Sequence, residues 1–323
     1  MAYGNFRRLY FTINMKLKDY WYTLTIIGIV IIGYNFSEHF LTINGTKLNT
    51  FIKPVLQVIM FGMGATMSMG DFTEIFKAPK KVIIGLVCQF TIMPGLGFFL
   101  SRAFDFPTEV AAGIVLIGAS PSGLASNVMC LMAKANVALS ITITTMATLI
   151  APIMTPFLMK TLGGGLVEVD FLNMFWDMAQ LVLIPIFVGL VINKLFKDFV
   201  QRIKTILPYV SMLGIAYIIL TVTASGQASL KSVGLLLILA VAIHNIAGYF
   251  LGYFSAKTLK MNEADCRAVA LEVGMQNAGL ASALANEMGK IATVGLAAAI
   301  FGPFMNVTGS MLGNYWGSKP QKK

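Results

Sequence analysis

Charged residues are scarce in this sequence: Asp, Glu, Lys and Arg make up 12% of its 323 residues. A soluble domain carries about twice that fraction, and the mean hydropathy is high at +0.76. Cysteine and histidine are rarer still, with three and two residues, and no CxxC, HExxH or GxSxG pattern occurs. These absences argue against an ordinary soluble domain, a disulfide framework, a zinc site and the hydrolases that those motifs mark.

Long runs of apolar residues occur along nearly the whole chain. Each is long enough to cross ~30 Å of hydrocarbon at a rise of ~1.5 Å per residue. The ten predicted spans are 21–36, 49–68, 79–101, 109–132, 136–160, 170–193, 205–225, 232–257, 265–287 and 290–316. Spans four and nine contain Pro or Gly beside polar residues in their middles. The predicted fold class is an all-α polytopic membrane protein with ten transmembrane helices.

The formal net charge of +10 is distributed unevenly between alternate loops. One side of the predicted membrane holds eighteen basic residues: Arg7, Arg8, Lys16, Lys18, Lys77, Lys80, Lys81, Lys134, Lys194, Lys197, Arg202, Lys204, Lys257, Lys260, Arg267, Lys319, Lys322 and Lys323. The other side holds six: Lys47, Lys53, Arg102, Lys160, Lys231 and Lys290. The positive-inside rule then places both termini in the cytoplasm of a multi-pass protein in the cell membrane. Because the basic residues are scattered over short loops, the lipid bilayer is the expected partner and nucleic acid is not.

An internal repeat divides the chain. The tetrapeptide GLAS occurs at 123–126 and again at 279–282, an offset of 156 residues that also sets Gln89 opposite Asn245. Two related halves of five spans each must enter the membrane in opposite orientations. The prediction is two inverted five-helix repeats, an architecture of secondary transporters that bind their ligands near the mid-membrane, at interrupted helices.

Glu272 stands within predicted span nine, in the stretch LEVGMQNAGLASALAN at 271–286. An unpaired carboxylate at that depth costs at least a few kcal/mol, so it must be protonated, paired or bound to a cation. Arg267 is five residues away, off the i,i+4 position, and is a mediocre partner. The Gly-containing sequence around Glu272 also predicts a break in the helix.

The other polar residues at membrane depth all offer hard donor atoms. They are Gln89, Ser120, Ser122, Ser126, Asn127, Ser140, Thr144, Gln276 and Asn277. Several oxygens around one carboxylate suit a monovalent alkali cation, because a divalent ion would usually be held by more carboxylates. The set therefore indicates sodium. For Ser140 and Thr144, hydrogen bonding between helices remains an open alternative.

With EVGMQNAGLA around Glu272, SPSGLASN at 120–127 and NVALSITITT at 136–145, the chain resembles the bile acid:sodium symporter family, in its bacterial form, over nearly its whole length. The resemblance implies a panel domain of spans 1, 2, 6 and 7. It also implies a core domain of spans 3–5 and 8–10, in which broken helices 4 and 9 cross at mid-membrane. The implied boundaries are 1–68 for the N-terminal tail and panel helices 1–2, 69–161 for core helices 3–5, 162–228 for panel helices 6–7, 229–318 for core helices 8–10 and 319–323 for a cytoplasmic tail.

The resemblance also implies ligands. The first of two expected sodium ions would be held by Ser126, Asn127, Ser140, Thr144 and Glu272, and the second by Gln89, Glu272, Val273, Met275 and Gln276. A substrate anion would lie near Asn277, Leu124, Ser126, Asn306 and Met305. Two positions depart from the family's pattern: Leu124 stands where many relatives have Thr, and Met305 stands where a His often precedes the Asn. Both departures border the implied substrate region.

The expected function is that of a sodium-coupled symporter, not an enzyme. It would import an organic anion, either bile acid-like or a small carboxylate, by an elevator-type alternating-access mechanism. The alternative is a proton-coupled transporter or antiporter of related inverted-repeat fold, with Glu272 as the titrating group. That class usually has paired intramembrane carboxylates, whereas Glu272 stands alone at depth. The natural substrate and the oligomeric state are left open.

Overall fold

The computed structural model describes residues 24–43, 45–67 and 73–319, and this part of the chain is almost wholly helical. The predicted N-terminal tail, the start of span one and residues 320–323 of the predicted cytoplasmic tail lie outside the described residues. One short antiparallel hairpin pairs β1 (Thr42–Ile43) with β2 (Thr46–Lys47). The α-helices of the described residues are α1 (Leu24–Asn35), α2 (Ile52–Thr66), α3 (Thr73–Lys77), α4 (Pro79–Ala103), α5 (Thr108–Ala119), α6 (Ala125–Met132), α7 (Val137–Leu158), α8 (Phe171–Met178), α9 (Ile184–Leu195), α10 (Lys197–Ile203), α11 (Leu207–Ser225), α12 (Gln227–Thr258), α13 (Glu263–Gly274), α14 (Ala278–Glu287) and α15 (Gly295–Gly317).

Single turns of other helix types extend or join some of these helices. The π-helical turn Met159–Gly163 continues α7, and a second, Ala179–Leu183, joins α8 to α9. The 3-10 turns Ser37–Phe40 and Leu48–Phe51 flank the hairpin. The joined segments are therefore long continuous helices.

Seven helical segments of the described residues are long and apolar enough to cross a membrane. They are Leu48–Thr66, Pro79–Ala103, Val137–Gly163, Phe171–Leu195, Leu207–Ser225, Gln227–Thr258 and Gly295–Gly317. The protein is thus a helical, polytopic membrane protein. The predicted number of ten differs for a physical reason: predicted spans four and nine are each interrupted into two short helices, and the first predicted span begins outside the described residues.

Helices α5 and α13, which precede the two interruptions, lie at the centre of the bundle. Every residue from Val110 to Ala119 of α5 is buried, and so is every residue from Asp265 to Gly274 of α13. A helix that is apolar on all sides, as α5 is, belongs in the interior of a helical protein. Helix α4 packs on α5, α12 and α13, and α12 also packs on α13.

The start of α13 is fixed by polar contacts. The Asn262 side chain caps the helix by accepting a hydrogen bond from the Asp265 amide at 2.9 Å. The buried Asp265 carboxylate then accepts a hydrogen bond from Asn136 Nδ2 at 2.7 Å and pairs with Lys81 Nζ at 2.6 Å. These contacts connect α13 to the beginnings of α7 and α4.

Arg267 is buried in the next turn of α13 and has its own partners. Its Nε pairs with Glu263 at 2.8 Å, and its Nη1 donates to the carbonyls of Ala133 and Trp316, each at 3.1 Å. These contacts leave Glu272 to be satisfied by other groups, as the spacing of the two residues predicted.

A second group of helices packs beside this bundle. In it, α2 packs against α9 and α11, while α2 and α11 also contact α14. Lys53 Nζ of α2 pairs with Glu287 of α14 at 3.0 Å, and Asn286 Nδ2 donates to the Asn49 carbonyl at 3.2 Å. Polar contacts therefore connect the two groups of helices at the C-terminal end of α14.

Candidate functional site

Two breaks in the helices create the candidate site. The first lies between α5 and α6, where Ser120 has an extended backbone (φ −74, ψ 152) and Pro121 supplies no amide hydrogen. The second lies between α13 and α14, where Met275 is extended (φ −110, ψ 112). The Asn277 side chain caps α14 by accepting from the Leu280 amide at 3.0 Å. Both breaks leave backbone groups without partners in their own helix.

The two breaks satisfy one another. The Gly123 amide donates to the Met275 carbonyl at 3.1 Å, and the Asn277 amide donates to the Pro121 carbonyl at 2.8 Å. These two bonds form an isolated antiparallel β-bridge in which Ser122 is paired with Gln276. A Cβ atom at position 123 would lie 2.8 Å from the Gln276 carbonyl oxygen, so only glycine permits this approach.

Four hydroxyl groups surround the carboxylate of Glu272, which is fully buried. Ser126 Oγ and Ser140 Oγ each lie 2.5 Å from Oε1, while Ser122 Oγ and Thr144 Oγ1 each lie 2.7 Å from Oε2. Ser122 lies in the first break, Ser126 lies in the first turn of α6, and the other two hydroxyls belong to α7. The buried carboxylate is therefore surrounded by polar groups, which reduces the free-energy penalty of its desolvation.

Three of these hydroxyls each have one proton to donate but lie close to at least two oxygen atoms. Ser126 Oγ also lies 2.8 Å from the Gly123 carbonyl, Ser140 Oγ lies 2.8 Å from Asn127 Oδ1, and Thr144 Oγ1 lies 3.1 Å from the Ser140 carbonyl. Each hydroxyl has one proton to donate, so some of these close oxygen pairs have no hydrogen bond between them. A cation among the oxygens would remove that conflict. The structure thus brings together Glu272 and the four side chains predicted for a first sodium ion.

The side chains predicted for a second ion form an amide pair. Gln89 Nε2 donates to Gln276 Oε1 at 2.8 Å and to the Ser120 carbonyl at 3.0 Å. Gln276 Nε2 donates to the Val273 carbonyl at 2.6 Å. Both glutamines are fully buried.

Two other predicted ligands of the second ion have different partners in this arrangement. The Met275 carbonyl accepts the Gly123 amide in the bridge. The carboxylate of Glu272 accepts its hydrogen bonds from hydroxyls, and among the described residues none joins it to Gln89 or Gln276. The second predicted set is therefore assembled around the side chains of Gln89 and Gln276, while the Glu272 carboxylate contacts side chains of the first predicted set.

The predicted substrate residues differ in exposure and have separate hydrogen-bonding partners. Leu124 is 37% exposed, whereas Met305 and Asn306 of α15 are buried. Asn306 Nδ2 donates to the Gly302 carbonyl at 2.9 Å, one turn earlier, where α15 packs against the start of α14. Asn277 is engaged as the cap of α14, so no hydrogen bond of the described residues links its side chain to Asn306. The structure brings this part of α15 to the start of α14, because a Cβ atom at Gly302 would lie 3.2 Å from the Cβ atom of Ala278.

Ser122 and Asn245 have roles that the sequence did not assign. Ser122 was counted among the deep polar residues but not among the ligands, and it completes the four hydroxyls around Glu272. Asn245 Nδ2 donates to the Gly274 carbonyl at 2.8 Å, at the end of α13. Gln89 makes the corresponding contact with Ser120 at the end of α5. The offset of 156 residues that aligned Gln89 with Asn245 was the signal for this shared role.

Two interrupted helices that meet beside a buried carboxylate and several side-chain oxygens are typical of ion-coupled secondary transporters. Residues 53–233 match the sequence model described as the Sodium Bile acid symporter family. The chain belongs to this family, whose members are sodium-coupled transporters and not enzymes.

Three relatives illustrate the match. The chain is 40% identical over 299 residues to the "Uncharacterized sodium-dependent transporter YocS" of Bacillus subtilis (strain 168), with 92% of this chain and 91% of the relative covered. It is 30% identical over 275 residues to the "Probable sodium/metabolite cotransporter BASS1, chloroplastic" of Oryza sativa subsp. japonica, covering 84% and 68%. It is 31% identical over 254 residues to the "Ileal sodium/bile acid cotransporter" of Homo sapiens, covering 76% and 72%. Sodium is therefore the co-transported ion of the family to which this multi-pass membrane protein belongs.

Proposed function

We propose that this protein is a symporter that uses the sodium gradient to import an organic anion. The observation that carries the proposal is the buried Glu272 carboxylate, contacted by four hydroxyl oxygens at 2.5–2.7 Å. The names of the relatives support the same class of transport, since they specify sodium together with a metabolite or a bile acid.

Two sodium ions are proposed to bind, with Glu272 shared between their sites. The first would take oxygens from Ser126, Asn127, Ser140 and Thr144, to which the contact with Ser122 adds a fifth neighbouring side chain. The second would take the side-chain oxygens of Gln89 and Gln276 with the carbonyls of Val273 and Met275. Hard oxygen ligands and one shared negative charge suit sodium better than a divalent ion.

The anion is proposed to bind beside the crossing point. Both α6 and α14 begin there, at Ala125 and Ala278, and the amino end of a helix favours negative charge. Leu124 is partly exposed at this place, while Asn277, Ser126, Met305 and Asn306 complete the proposed surroundings. The substrate class is an organic carboxylate or sulfonate, which includes both bile acid-like molecules and small carboxylates.

Transport is proposed to follow an elevator-type movement of a core domain past a panel domain. The panel would comprise 1–68 and 162–228, and the core 69–161 and 229–318. The separate packing of α2, α9 and α11 beside the bundle of α4, α5, α12 and α13 supports this division. The ion pair of Lys53 and Glu287 joins the two proposed domains and would have to break during the movement. Ten spans, the inverted repeat and cytoplasmic termini remain part of the same proposal.

Uptake into proteoliposomes tests the proposal. Purified protein would be reconstituted and given labelled pantoate, pyruvate or taurocholate, with an inward gradient of sodium, potassium or protons. The proposal expects at least one anion to accumulate with the sodium gradient alone. Accumulation driven by protons without sodium would instead support the alternative in which Glu272 takes up a proton.

A further inference from the structure

A groove lies between α12 and α15, on the outside of the bundle, and its floor residue Tyr249 packs against Gly274 at the end of α13. Its cavity has a volume of about 550 Å³. The side chains that matter here are Ile246, Phe250 and Phe254 of α12 and Met311, Tyr315 and Trp316 of α15. Several of these apolar side chains are more than half exposed: Phe250 and Met311 are each 59% exposed and Tyr315 is 53% exposed. In a membrane protein such a surface faces lipid.

The floor of the groove offers few free polar groups. Thr308 Oγ1 donates to Asn245 Oδ1 at 2.7 Å, and Tyr249 Oη donates to the Met305 carbonyl at 3.2 Å. These hydroxyls are already used within the protein, so an occupant of the groove gains little by hydrogen bonding to its floor. An apolar chain fits this lining best.

Two lysines stand at one end of the groove. Lys257 Nζ lies 5.6 Å from the ring centroid of Tyr253, and Lys319 Nζ lies 4.0 Å from the ring centroid of Tyr315. The rings of Tyr253 and Trp316 stack at 5.8 Å, which brings the two lysine-bearing helix ends together. Both lysines are exposed. Among the described residues, neither pairs with a carboxylate.

The neighbouring acidic group does not cancel this charge. Glu263 accepts a hydrogen bond from Tyr253 Oη at 2.6 Å, but its other oxygen pairs with Arg267 at 2.8 Å. Lys257 and Lys319 therefore leave the end of the groove with a positive charge.

The dimensions suit one acyl chain. Eight residues separate Ile246 from Phe254 on α12, which corresponds to ~12 Å along the helix. One leaflet of a bilayer contributes roughly 15 Å of hydrocarbon, half of the total thickness. The groove is thus long enough to hold most of an acyl chain while the lysines remain at the level of the headgroups.

We propose that this groove is a binding site for an anionic phospholipid. One acyl chain lies against Phe250, Met311 and the neighbouring apolar side chains. The phosphate lies between Lys257 and Lys319. Basic pockets between transmembrane helices recognise anionic headgroups in this way, and each basic residue near the surface adds to the attraction.

Quenching of Trp316 fluorescence by brominated lipid tests the proposal, because bromine quenches only at short range. The other two tryptophans, Trp21 and Trp176, would be replaced by Phe in the full chain. The protein in detergent micelles would then be titrated with brominated phosphatidylglycerol or with phosphatidylcholine that carries the same brominated chains. The expected result is half-maximal quenching at a roughly thirtyfold lower mole fraction of phosphatidylglycerol, given two basic residues near the phosphate.

Matched variants assign the effect to the groove. Lys257→Gln combined with Lys319→Gln should remove the preference for phosphatidylglycerol. Lys197→Gln combined with Lys204→Gln removes the same charge from exposed positions near α10 and should leave the preference intact. Glycerol 1-phosphate, which has the headgroup charge but no acyl chain, should not relieve the quenching.

Four results would overturn the proposal. They are equal quenching by the two lipids, an unchanged preference in the Lys257/Lys319 variant, an equal loss in the Lys197/Lys204 variant, and displacement by glycerol 1-phosphate. The first three would remove the role of the groove lysines, and the last would reduce the site to one for a soluble phosphate.

Discussion

Ser126 Oγ lies 2.5 Å from Oε1 of Glu272, although the two residues are 146 positions apart in the chain. Ser126 belongs to the helix that follows the first break, and Glu272 to the helix that precedes the second. Their contact therefore joins the two halves of the protein where both interrupted helices lose their regular hydrogen bonds. An ion bound to both oxygens would stabilise that junction, so ion binding and the stability of the crossing are expected to be coupled.

Sodium should stabilise the detergent-solubilised protein, and potassium should not. An ion that binds only the folded state raises its stability, by about 2.7 kcal/mol at one hundred times the dissociation constant. The measurement is the thermal unfolding midpoint in sodium chloride and in potassium chloride at equal ionic strength. Equal midpoints in the two salts would remove the claim of a sodium site.

Glu272→Ala should abolish sodium-dependent uptake, while Asp177→Asn should leave most of it. The first substitution takes the only carboxylate from both proposed ion sites, where a charge contact at low dielectric is worth on the order of a few kcal/mol. Asp177 is partly exposed and lies outside the proposed ion sites, which makes it a control for the loss of a carboxylate. Uptake of the labelled anion in proteoliposomes would be compared at equal amounts of folded protein. A Glu272→Ala transporter with normal activity would show that the ions bind elsewhere.

Cross-linking position 53 to position 287 should stop transport. Lys53 and Glu287 form an ion pair between the proposed panel and core, so a bifunctional thiol reagent acting on Lys53→Cys with Glu287→Cys would hold the two domains together. The matched control is Glu109→Cys with Lys290→Cys, which replaces an ion pair within the proposed core. Cross-linking should reduce uptake by the Lys53→Cys, Glu287→Cys variant and leave uptake by the control variant unchanged. With a reagent that attaches through disulfides, reduction should restore uptake by the first variant. Equal uptake by both cross-linked pairs would argue against movement between these domains.

The substrate should have an apolar body beside its negative charge. Leu124 is partly exposed and Met305 is buried, and these are the two positions at which an apolar residue departs from the polar residue expected from the family's pattern. Apolar contact is worth ~25 cal/mol per Å², so one or two methylenes of contact shift preference about tenfold. Competition by pantoate, pyruvate and taurocholate against one labelled anion measures the ranking. A carboxylate with a branched or ring hydrocarbon should compete best, and Leu124→Thr should narrow the difference. Preference for pyruvate in the wild type, or the same ranking in the variant, would contradict this expectation.

The positions of both helix breaks could be predicted because their causes are local. Pro121 removes an amide donor and Gly123 weakens the helix, and Gly274 has the same effect before the second break. The depth of Glu272 followed from counting residues along an apolar segment. The choice of Ser126, Asn127, Ser140 and Thr144 also followed from oxygen chemistry combined with the family resemblance.

The pairing of these groups depends on tertiary structure and could not be read from the chain. Ser122 and Ser120 are both serines beside Pro121, yet Ser122 contacts Glu272 whereas the Ser120 hydroxyl donates to the Leu116 carbonyl. The direction of each side chain is set by the antiparallel bridge between the breaks. That bridge joins segments about 150 residues apart, so its register has no local signal.

Binding of radioactive sodium to the purified protein, in the wild type and in Glu272→Gln, tests the account most directly. The substitution keeps the size of the side chain and removes its charge, so a folded variant isolates the role of the carboxylate. The account predicts saturable sodium binding by the wild type, with no competition from potassium, and its loss in Glu272→Gln. Saturable binding of equal affinity in both proteins would contradict the claim that Glu272 lies at the centre of the sodium site.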